Sequence, residues 1–383
     1  MSRLNELIQQ YCPDGVKYKK LGEVLGVNRG RRLTKMQLSD DGQYYVYHGS
    51  KDAPLGKYSQ FNVKGNTTIV VNTGGIGGVK FCDDDFWCSD GSFWIGHSDL
   101  FNDKFVYYYL SPLEPYFASQ KRVGGVPTID RSVVENVEIP IPPLPVQEEI
   151  VRILDNFAEL QAELQAELQK RLQQYNYYRD NLLSFEGRTD VEWKKLGEVA
   201  TFTYGYTAKA EDRGEVRYIR ITDINDAGCL TPDNGKYISY TQDAEPYLLK
   251  KGDLVMARTG ATYGKTLYYN EDYLSAYASF LIKINLQDLV NPRFYWHFSK
   301  SNLYWEQARK LVGGGAQPQF NTGAISQIVI PIPPLAEQQR IVEVLDRFDT
   351  LTTDITAGLP AEIEARRKQY EYYRDKLLTF KKK

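Results

Sequence analysis

The chain repeats one series of landmarks along its length. Three segments occur twice, in the same order: Lys-Lys-Leu-Gly-Glu-Val at 19–24 and 194–199, Ile-Pro-Ile-Pro-Pro-Leu at 139–144 and 330–335, and Tyr-Tyr-Arg-Asp at 177–180 and 372–375. Between these landmarks the two halves differ almost completely. A repeat with this long period indicates two copies of one structural module. The chain must therefore fold as a duplicated frame that carries two unlike inserts.

The inserts are predicted to be mainly β-structure. Short apolar runs bounded by Gly, Asn and Asp, such as 67–71 and 253–257, are typical of strands. Helices are predicted at 103–110 and 292–310, and a short amphipathic helix within 1–12. The expected fold class is therefore α+β, with two mainly β modules related by a pseudo-two-fold internal repeat.

A long helix is predicted after each proline-rich landmark. Alternating proline excludes helix and interior strand, so each landmark should be a stiff, extended connector. Apolar side chains then recur at the four-three spacing of a coiled-coil seam: Ile150, Leu154, Phe157, Leu164 and Leu168 in the first copy, and Ile341, Leu345, Phe348 and Ile355 in the second. The two helices can pair antiparallel with each other. The alternative is that each is a single amphipathic helix packed on a globular core.

These patterns divide the chain into five predicted segments. They are an N-terminal helix at 1–12, a first module at 13–143, a central helix at 144–186, a second module at 187–334 and a C-terminal helix at 335–383. A tandem Gln-Ala-Glu-Leu at 161–168 lengthens the central helix by about 6 Å for each tetrapeptide, which is near one turn. Gly358-Leu359-Pro360 predicts a bend or break in the C-terminal helix.

No catalytic or metal-binding constellation is predicted. Residues 259–266 resemble a phosphate-binding loop, but Thr259 stands where the first glycine of that motif belongs. A glycine-rich turn between paired strands is the favoured interpretation of this segment and of 73–79. The four cysteines form no CxxC pair, so a structural zinc site is not expected. The start of the sequence lacks a secretion-signal pattern, which favours a cytoplasmic protein without membrane contact.

Basic residues mixed with Tyr, Asn, Gln and Thr cluster at matched places in both inserts. Cations suit phosphates and guanine edges, Asn and Gln suit adenine, and glycine allows close backbone approach. Ordinary solvated loops are the alternative for any single residue. The predicted DNA-binding residues are Arg29, Arg31, Arg32, Lys35, Asn72, Thr73, Lys80, Lys121, Arg122, Arg220, Arg258, Thr259, Tyr263, Lys265, Arg309, Lys310 and Gln317.

The charge balance limits how such an interface can work. Residues 1–143 carry 16 basic and 16 acidic side chains, and residues 187–334 carry 17 and 16. Neither insert is a general phosphate-binding surface. DNA affinity should therefore be weak for the chain alone and strong only with partner proteins.

The whole layout resembles the specificity subunit of type I restriction-modification systems. The resemblance is carried by Cys-Pro-Asp-Gly-Val at 12–16, by the Lys-Leu-Gly-Glu landmarks, by both proline-rich connectors and by both Tyr-Tyr-Arg-Asp segments. It implies two target recognition domains separated by two long antiparallel helices that form a coiled coil. Each domain is then expected to read one half of a bipartite site in double-stranded DNA, while the helices set the gap.

The resemblance also implies partners and cofactors. Two modification (methyltransferase) subunits are expected to dock on the helices and to bring S-adenosylmethionine, while restriction (motor-nuclease) subunits bring ATP and magnesium. The chain itself is then non-catalytic and binds no cofactor. The predicted helix and docking residues are Ile150, Leu154, Phe157, Tyr177, Tyr178, Ile341, Leu345, Phe348, Tyr372 and Tyr373.

Two other hypotheses remain open on the sequence. One is an enzyme that uses residues 259–266 to bind a nucleotide. The other is a coiled-coil scaffold that carries two protein- or carbohydrate-binding modules, for which tyrosine-rich loops would also serve.

Overall fold

The structure is a computed structural model that describes residues 2–122, 125–231, 234–313, 318–354 and 357–383. Its helices are α1 Ser2–Tyr11, α2 Leu21–Val24, α3 Asp103–Leu110, α4 Glu114–Ser119, α5 Arg131–Glu135, α6 Leu144–Ser184, α7 Leu196–Val199, α8 Pro292–Phe298, α9 Asn302–Leu311, α10 Thr322–Ile325, α11 Leu335–Thr353 and α12 Leu359–Leu377. The strands of the first half are β1 Tyr18–Lys20, β2 Val27–Arg29, β3 Tyr44–Tyr47, β4 Gly56–Tyr58, β5 Thr67–Val71, β6 Val79–Cys82, β7 Trp87–Cys88, β8 Ser92–Ile95 and β9 Glu138–Pro140. Those of the second half are β10 Glu192–Lys195, β11 Ala200–Tyr204, β12 Val216–Ile219, β13 Tyr237–Ile238, β14 Leu254–Ala257, β15 Thr266–Tyr268, β16 Ser275–Tyr277, β17 Leu281–Leu286 and β18 Val329–Ile332.

The chain forms two compact units, whose limits differ from the predicted segments. Unit 1 comprises residues 1–163 and 364–383, and unit 2 comprises residues 164–363. The predicted segments treat the long helices as separate bodies. In the structure each unit instead contains part of α6, because the apolar faces of the helices share the cores of the modules. Ile150 and Leu154 are fully buried in unit 1, as Ile341 and Leu345 are in unit 2.

Both units have the same sheet topology. Unit 1 contains a four-stranded antiparallel sheet of order β2-β8-β5-β6 and a three-stranded sheet of order β4-β3-β7. Unit 2 has the corresponding sheets β11-β17-β14-β15 and β13-β12-β16. In each three-stranded sheet one pair is parallel, β3 with β7 and β12 with β16. The duplicated landmarks therefore enclose a duplicated β-fold, although the strand sequences differ.

The two remaining sheets explain the proline-rich landmarks. β1 pairs with β9, with Tyr18 opposite Pro140, and β10 pairs with β18, with Trp193 opposite Pro331. Each sheet has only two strands, so every strand is an edge, where proline is tolerated. The predicted extended conformation is confirmed, and the connector gains a partner strand from the Lys-Lys-Leu-Gly-Glu-Val landmark.

A buried glutamine fixes the start of α6. Gln147 is fully buried. Its Nε2 donates to the carbonyl oxygens of Leu100 (2.8 Å) and Pro142 (2.7 Å). Its Oε1 accepts from the backbone N–H of Asn102 at 2.9 Å. Asn102 is also the N-cap of α3, so one side chain joins the starts of two helices.

Unit 2 repeats this arrangement. Gln338 is fully buried in α11. Its Nε2 donates to the carbonyl oxygens of Leu289 (2.9 Å) and Pro333 (2.8 Å). Its Oε1 accepts from the backbone N–H of Asn291, the N-cap of α8, at 2.8 Å. We call Gln147 and Gln338 the glutamine clamps.

Paired aromatic rings join the long helices within each unit. Phe157 of α6 stacks on Tyr373 of α12, with centroids 5.7 Å apart, in unit 1. In unit 2 Phe348 of α11 stacks on Tyr178 of α6 at 5.5 Å. Tyr178 of α6 contacts Phe348 of α11, and Arg188, just after α6, pairs with Glu337 near the start of α11, so these two helices run antiparallel. The predicted seam is thus part coiled coil and part module core; of its residues, Ile355 lies outside the described part of the chain.

Two predicted helices are each divided in the structure. The helix predicted at 292–310 consists of α8 and α9, because Ser301 leaves the helix and caps α9 by accepting from the N–H of Tyr304 at 3.2 Å. The C-terminal helix predicted at 335–383 consists of α11 and α12. A Cβ on Gly358 would lie 2.6 Å from the carbonyl oxygen of Thr350, so only glycine allows this close approach. The predicted interruption near residues 358–360 is confirmed.

Residues 380–383 are extended and pair with the start of the first module. The N–H of Val16 donates to the carbonyl of Lys381, and the N–H of Lys383 donates back to Val16, both at 2.9 Å. Lys382 bonds to both carboxylate oxygens of Glu138 at 3.0 and 2.9 Å. Leu377 is buried in the core of unit 1. This segment, residues 377–383, therefore completes unit 1.

Candidate nucleic-acid interface and partner surface

The glycine-rich segments of both inserts are turns between antiparallel strands. Residues 72–78 join β5 to β6, and residues 258–265 join β14 to β15. Residues 260–262 form a single 3-10 turn that leads into a strand. A phosphate-binding loop leads into a helix instead. The favoured prediction of a turn between paired strands is confirmed, and the geometry of a nucleotide-binding loop is not present at 259–266.

A basic cleft lies beside the first of these turns. Three exposed cations line a cleft of about 610 Å³, which we call cleft 1: Arg29 at the end of β2, and Arg32 and Lys35 on the segment that follows it. Its other lining residues are Leu33, Thr34, His48, Leu55, Thr73, Asp90, Gly91, Val126 and Thr128. The structure thus brings together four of the predicted DNA-binding residues, which are Arg29, Arg32, Lys35 and Thr73.

Cleft 1 contains an acceptor as well as donors. Asp90 lies 3.4 Å from His48 Nδ1 and accepts from Ser89 Oγ at 3.2 Å. The N–H of Gly91 donates to His48 Nδ1 at 3.2 Å. The sequence reasoning missed Asp90 and His48, because neither lies in a basic run. Only the fold places them beside Arg32.

A second, smaller cleft lies in unit 2. It measures about 390 Å³, and we call it cleft 2; its lining residues are Thr207, Ala208, Tyr218, Arg220, Ile221, Thr222, Ala278, Ser279 and Phe280. Arg220 is held by Asp223, with Nε to Oδ2 at 3.1 Å and Nη2 to Oδ1 at 2.7 Å. Asp223 is buried, so the guanidinium is fixed in place by a charge-assisted pair. Phe280 is 52% exposed at the same cleft.

Several predicted DNA-binding residues are not available to a duplex. Asn72 and Thr259 are buried, so their prediction as direct contacts is corrected to a role inside the module. Asn72 Nδ2 donates to the carbonyl of Asp90 at 3.3 Å. Tyr263 packs its ring against Trp305 and Phe320. Polar and aromatic residues in loops are predicted to contact DNA. Asn72, Thr259 and Tyr263 instead hold the glycine-rich turns against the rest of the module.

The remaining predicted residues lie outside the two clefts, apart from Arg220. Arg31, Lys121, Arg122, Arg309 and Lys310 are exposed, and Arg122 forms an ion pair with Asp130. Lys80 lies over the ring of Tyr47 at 5.3 Å, and Lys265 is paired with Asp226. Arg258 donates from Nε to the carbonyl of Ser279 at 3.1 Å and lies over the ring of Tyr204. Gln317 lies outside the described part of the chain. The prediction that these residues contact DNA stays a prediction.

A charged cluster fastens the helix α8 of unit 2 to α11. Asp346 accepts from His297 Nε2 and from Arg293 Nε, both at 2.7 Å. The Tyr175 hydroxyl lies 3.1 Å from His297 Nδ1, so the neutral ring can donate through Nε2 and accept through Nδ1. His297 is fully buried, and this burial lowers its pKa to about 4. Burial outweighs the bond to Asp346, which acts in the opposite direction.

Unit 1 has a different cluster at the same place. Lys104 donates to Asp155 at 3.1 Å, and the Tyr108 hydroxyl donates to Asp155 at 2.6 Å. Burial and the bond to Asp155 raise the pKa of Tyr108 above its ordinary value. Unit 1 therefore joins α3 to α6 without a histidine at this position.

The predicted helix and docking residues fall into three groups by exposure. Ile150, Leu154, Ile341 and Leu345, predicted as helix or docking residues, are buried in the cores of the units. Phe157, Phe348 and Tyr373 are partly buried in the helix pairs. The side chains of Tyr177, Tyr178 and Tyr372 are exposed by 66%, 44% and 62%. Tyr177 and Tyr372 are equivalent in the repeat and are the most exposed of these tyrosines, so each unit presents a large aromatic residue at this position of its helix pair.

No helix in the described ranges is long and apolar enough to cross a membrane. Groups of three or more His, Cys, Asp or Glu side chains able to hold a metal ion do not occur among the described residues.

Comparison with known proteins places both units in one family. A family model described as type I restriction modification DNA specificity domain matches residues 13–174 and again 189–365. A putative type I restriction enzyme specificity subunit of Haemophilus influenzae is 32% identical over 384 residues, covering 95% of this chain and 96% of the relative. A type I restriction enzyme specificity subunit of Escherichia coli is 37% identical over 301 residues, covering 73% of this chain and 71% of the relative.

A solved structure has a similar fold. The S subunit of a type I restriction-modification system from M. genitalium matches with a TM-score of 0.62 at 17% sequence identity. The match covers 96% of this chain and 97% of that chain.

Proposed function

The chain belongs to the family of type I restriction-modification DNA specificity subunits, and from this membership we propose that each of its units reads one half of a bipartite site in double-stranded DNA. The observation that carries the proposal is the duplicated frame with unlike linings. Clefts 1 and 2 lie on the same β-topology but present different side chains. A frame built in this way can read two different half-sites with one architecture.

The chain supplies recognition, and its partners supply the chemistry. The segment at 259–266 that resembles a nucleotide-binding loop is a strand-to-strand turn. S-adenosylmethionine is expected on modification subunits, and ATP with magnesium on restriction subunits. The near-neutral charge of both inserts supports this division, because affinity for the DNA backbone then depends on the positive surface of the partners.

Exchange of one module tests the reading of half-sites. Residues 16–143 are replaced by the corresponding segment of another family member, and the complex with its modification subunits methylates a library of bipartite sites. We expect one half-site to change completely while the other half-site stays the same. Single-molecule sequencing of methylated bases is the measurement.

The reciprocal exchange of residues 200–329 is the matched control, and it should change the opposite half-site. If either exchange alters both half-sites, or neither, then the two units do not read independently. An unchanged methylation pattern after both exchanges would favour a scaffold role.

The exposed tyrosines of the helix pairs are proposed to bind one modification subunit each. Large aromatic side chains are common anchors of protein interfaces. We expect Tyr177→Ala and Tyr372→Ala each to weaken the binding of one modification subunit by roughly 10- to 30-fold, which is about 1.4–2 kcal/mol. Native mass spectrometry of titrated complexes gives the stoichiometry, and calorimetry gives the affinity.

Two other exposed tyrosines serve as controls. Tyr116, in α4 of unit 1, and Tyr240, after β13 of unit 2, are 45% and 46% exposed and belong to none of the long helices. Tyr116→Ala and Tyr240→Ala should leave assembly unchanged. Equal weakening by all four substitutions would show that the helix tyrosines have no special role.

A further inference from the structure

Clefts 1 and 2 occupy equivalent positions in the two repeats. In unit 1 the N–H of Arg31 donates to the carbonyl of Cys88, and in unit 2 the N–H of Tyr206 donates to that of Tyr277, both at 2.9 Å. A Cβ on Gly30 would lie 2.1 Å from the carbonyl oxygen of Ser89. The backbone that frames the first cleft therefore requires glycine at this position.

Unit 2 repeats this close approach. A Cβ on Gly205 would lie 2.2 Å from the carbonyl oxygen of Ala278. The strand ends match as well, because the N–H of Ser89 donates to Tyr47 at 3.0 Å and the N–H of Ala278 donates to Ile219 at 2.9 Å. The backbone bonds thus align the two clefts residue by residue.

The aligned lining residues differ in chemistry. The alignment pairs positions 32 with 207, 48 with 220, 90 with 279 and 91 with 280. The first cleft has arginine, histidine, aspartate and glycine at these positions, and the second has threonine, arginine, serine and phenylalanine. The frame is the same in both units, whereas the groups that a ligand would meet are different.

We propose that these four paired positions are the main sequence-reading positions of the chain, with cleft 1 reading a G·C pair and cleft 2 reading a thymine. The inference rests on the proposed function and deepens it by naming the residues that discriminate. Base edges in the major groove are the chemical class that each cleft binds.

The lining of cleft 1 complements a G·C pair. Arg32 is exposed, and an arginine can donate two hydrogen bonds to O6 and N7 of guanine. Asp90 can accept from the N4 amino group of cytosine. A carboxylate repels phosphate, so a cleft lined by Asp90 as well as by cations is suited to a base edge rather than to the DNA backbone.

The lining of cleft 2 complements thymine. Nε and Nη2 of Arg220 are bonded to Asp223, and Nη2 also donates to the carbonyl of Asn234 at 3.2 Å. Within the described residues these bonds leave Nη1 as the nitrogen for a ligand. Nη1 can donate to O4, the acceptor that thymine presents in the major groove, and the exposed ring of Phe280 matches its C5-methyl group.

The test exchanges the paired residues within the complete complex. Arg32→Thr gives cleft 1 the residue of cleft 2, and Arg220→His gives cleft 2 the residue of cleft 1. The reconstituted complex with its modification subunits methylates a randomised site library, and sequencing gives the preference at each base pair. We expect Arg32→Thr to relax one G·C pair of one half-site by roughly 10- to 100-fold and Arg220→His to relax one thymine of the other half-site similarly.

A variant that keeps the positive charge separates recognition of a base from general attraction to DNA. Arg32→Lys keeps the charge but loses the paired donors, so it should relax the same base pair as Arg32→Thr. Lys64→Ala and Arg213→Ala remove exposed cations outside the clefts and should leave the base preferences unchanged. Uniform loss of methylation at all sequences, or no change at any position, in the Arg32 and Arg220 variants would overturn the inference. A wild-type complex that methylates no bipartite site would overturn the proposed function itself.

Discussion

Replacing Gln338 with alanine is expected to destabilise unit 2 by about 3–5 kcal/mol, because three buried or part-buried backbone groups lose, at once, the side-chain partner that they have among the described residues. These groups are the carbonyl oxygens of Leu289 and Pro333 and the N–H of Asn291. Each belongs to a junction where a module meets a helix. Equilibrium unfolding in urea measures the change in the free energy of unfolding.

The neighbouring residue provides the matched control. Gln339 lies on the same turn of α11 but is exposed, and it bonds to Asn291 Nδ2 and Glu343 at 3.2 Å. Gln339→Ala should cost less than about 0.5 kcal/mol, as exposed substitutions usually do. In unit 1, Gln147→Ala and Glu148→Ala should reproduce the same contrast. Similar losses from the clamp and the control would mean that water replaces the clamp bonds without cost.

Unit 2 is expected to lose about 2–3 kcal/mol of stability between pH 7 and pH 4.5. The pKa of buried His297 is lowered from 6.5 to about 4, so within this window the unfolded chain binds a proton that the folded unit excludes. The free energy of unfolding is therefore at its full value above about pH 6.5 and decreases as the pH falls towards about 4. Differential scanning calorimetry at several pH values measures the loss.

The groups facing His297 do not reverse this sign. The pKa of Asp346 is lowered from an already acidic value, chiefly by its bonds to His297 and Arg293 against the opposing effect of burial, so its own contribution is lost at a lower pH. The neighbouring cations Lys300 and Arg293 oppose protonation of the ring. His297→Gln should remove most of the acid loss, whereas His97→Gln, at a half-exposed histidine in unit 1, should retain it. An acid loss that survives His297→Gln would assign it to the carboxylates instead.

The repeat made the fold predictable, because each landmark appears twice with its own local signal. Proline alternation gave the extended connectors, and Gly358 with Pro360 gave the interruption between α11 and α12. The sequence did not reveal the break between α8 and α9, because serines such as Ser299 and Ser301 occur both within helices and at helix N-caps. The glutamine clamps were also missed, because a lone glutamine at a helix start is usually exposed.

The candidate site could be predicted only in part. Runs of cations show in the sequence, so Arg29, Arg32 and Lys35 were found. His48, Asp90 and Phe280 come from strand ends that are distant in sequence, and only the pairing of β3 with β7 and the turn before β17 bring them to the clefts. Asn72 and Thr259 are buried, unlike the exposed cations. The sequence did not show this difference, because composition alone does not indicate which face of a turn a side chain occupies.

The closure of unit 1 by residues 377–383 has a consequence for biosynthesis. All of unit 2 lies between the two stretches of chain that form unit 1. A ribosome therefore delivers the whole of unit 2 before it delivers Leu377 and Leu378, which complete the core of unit 1. Most of unit 1 is translated before unit 2, yet the native packing of unit 1 is completed last.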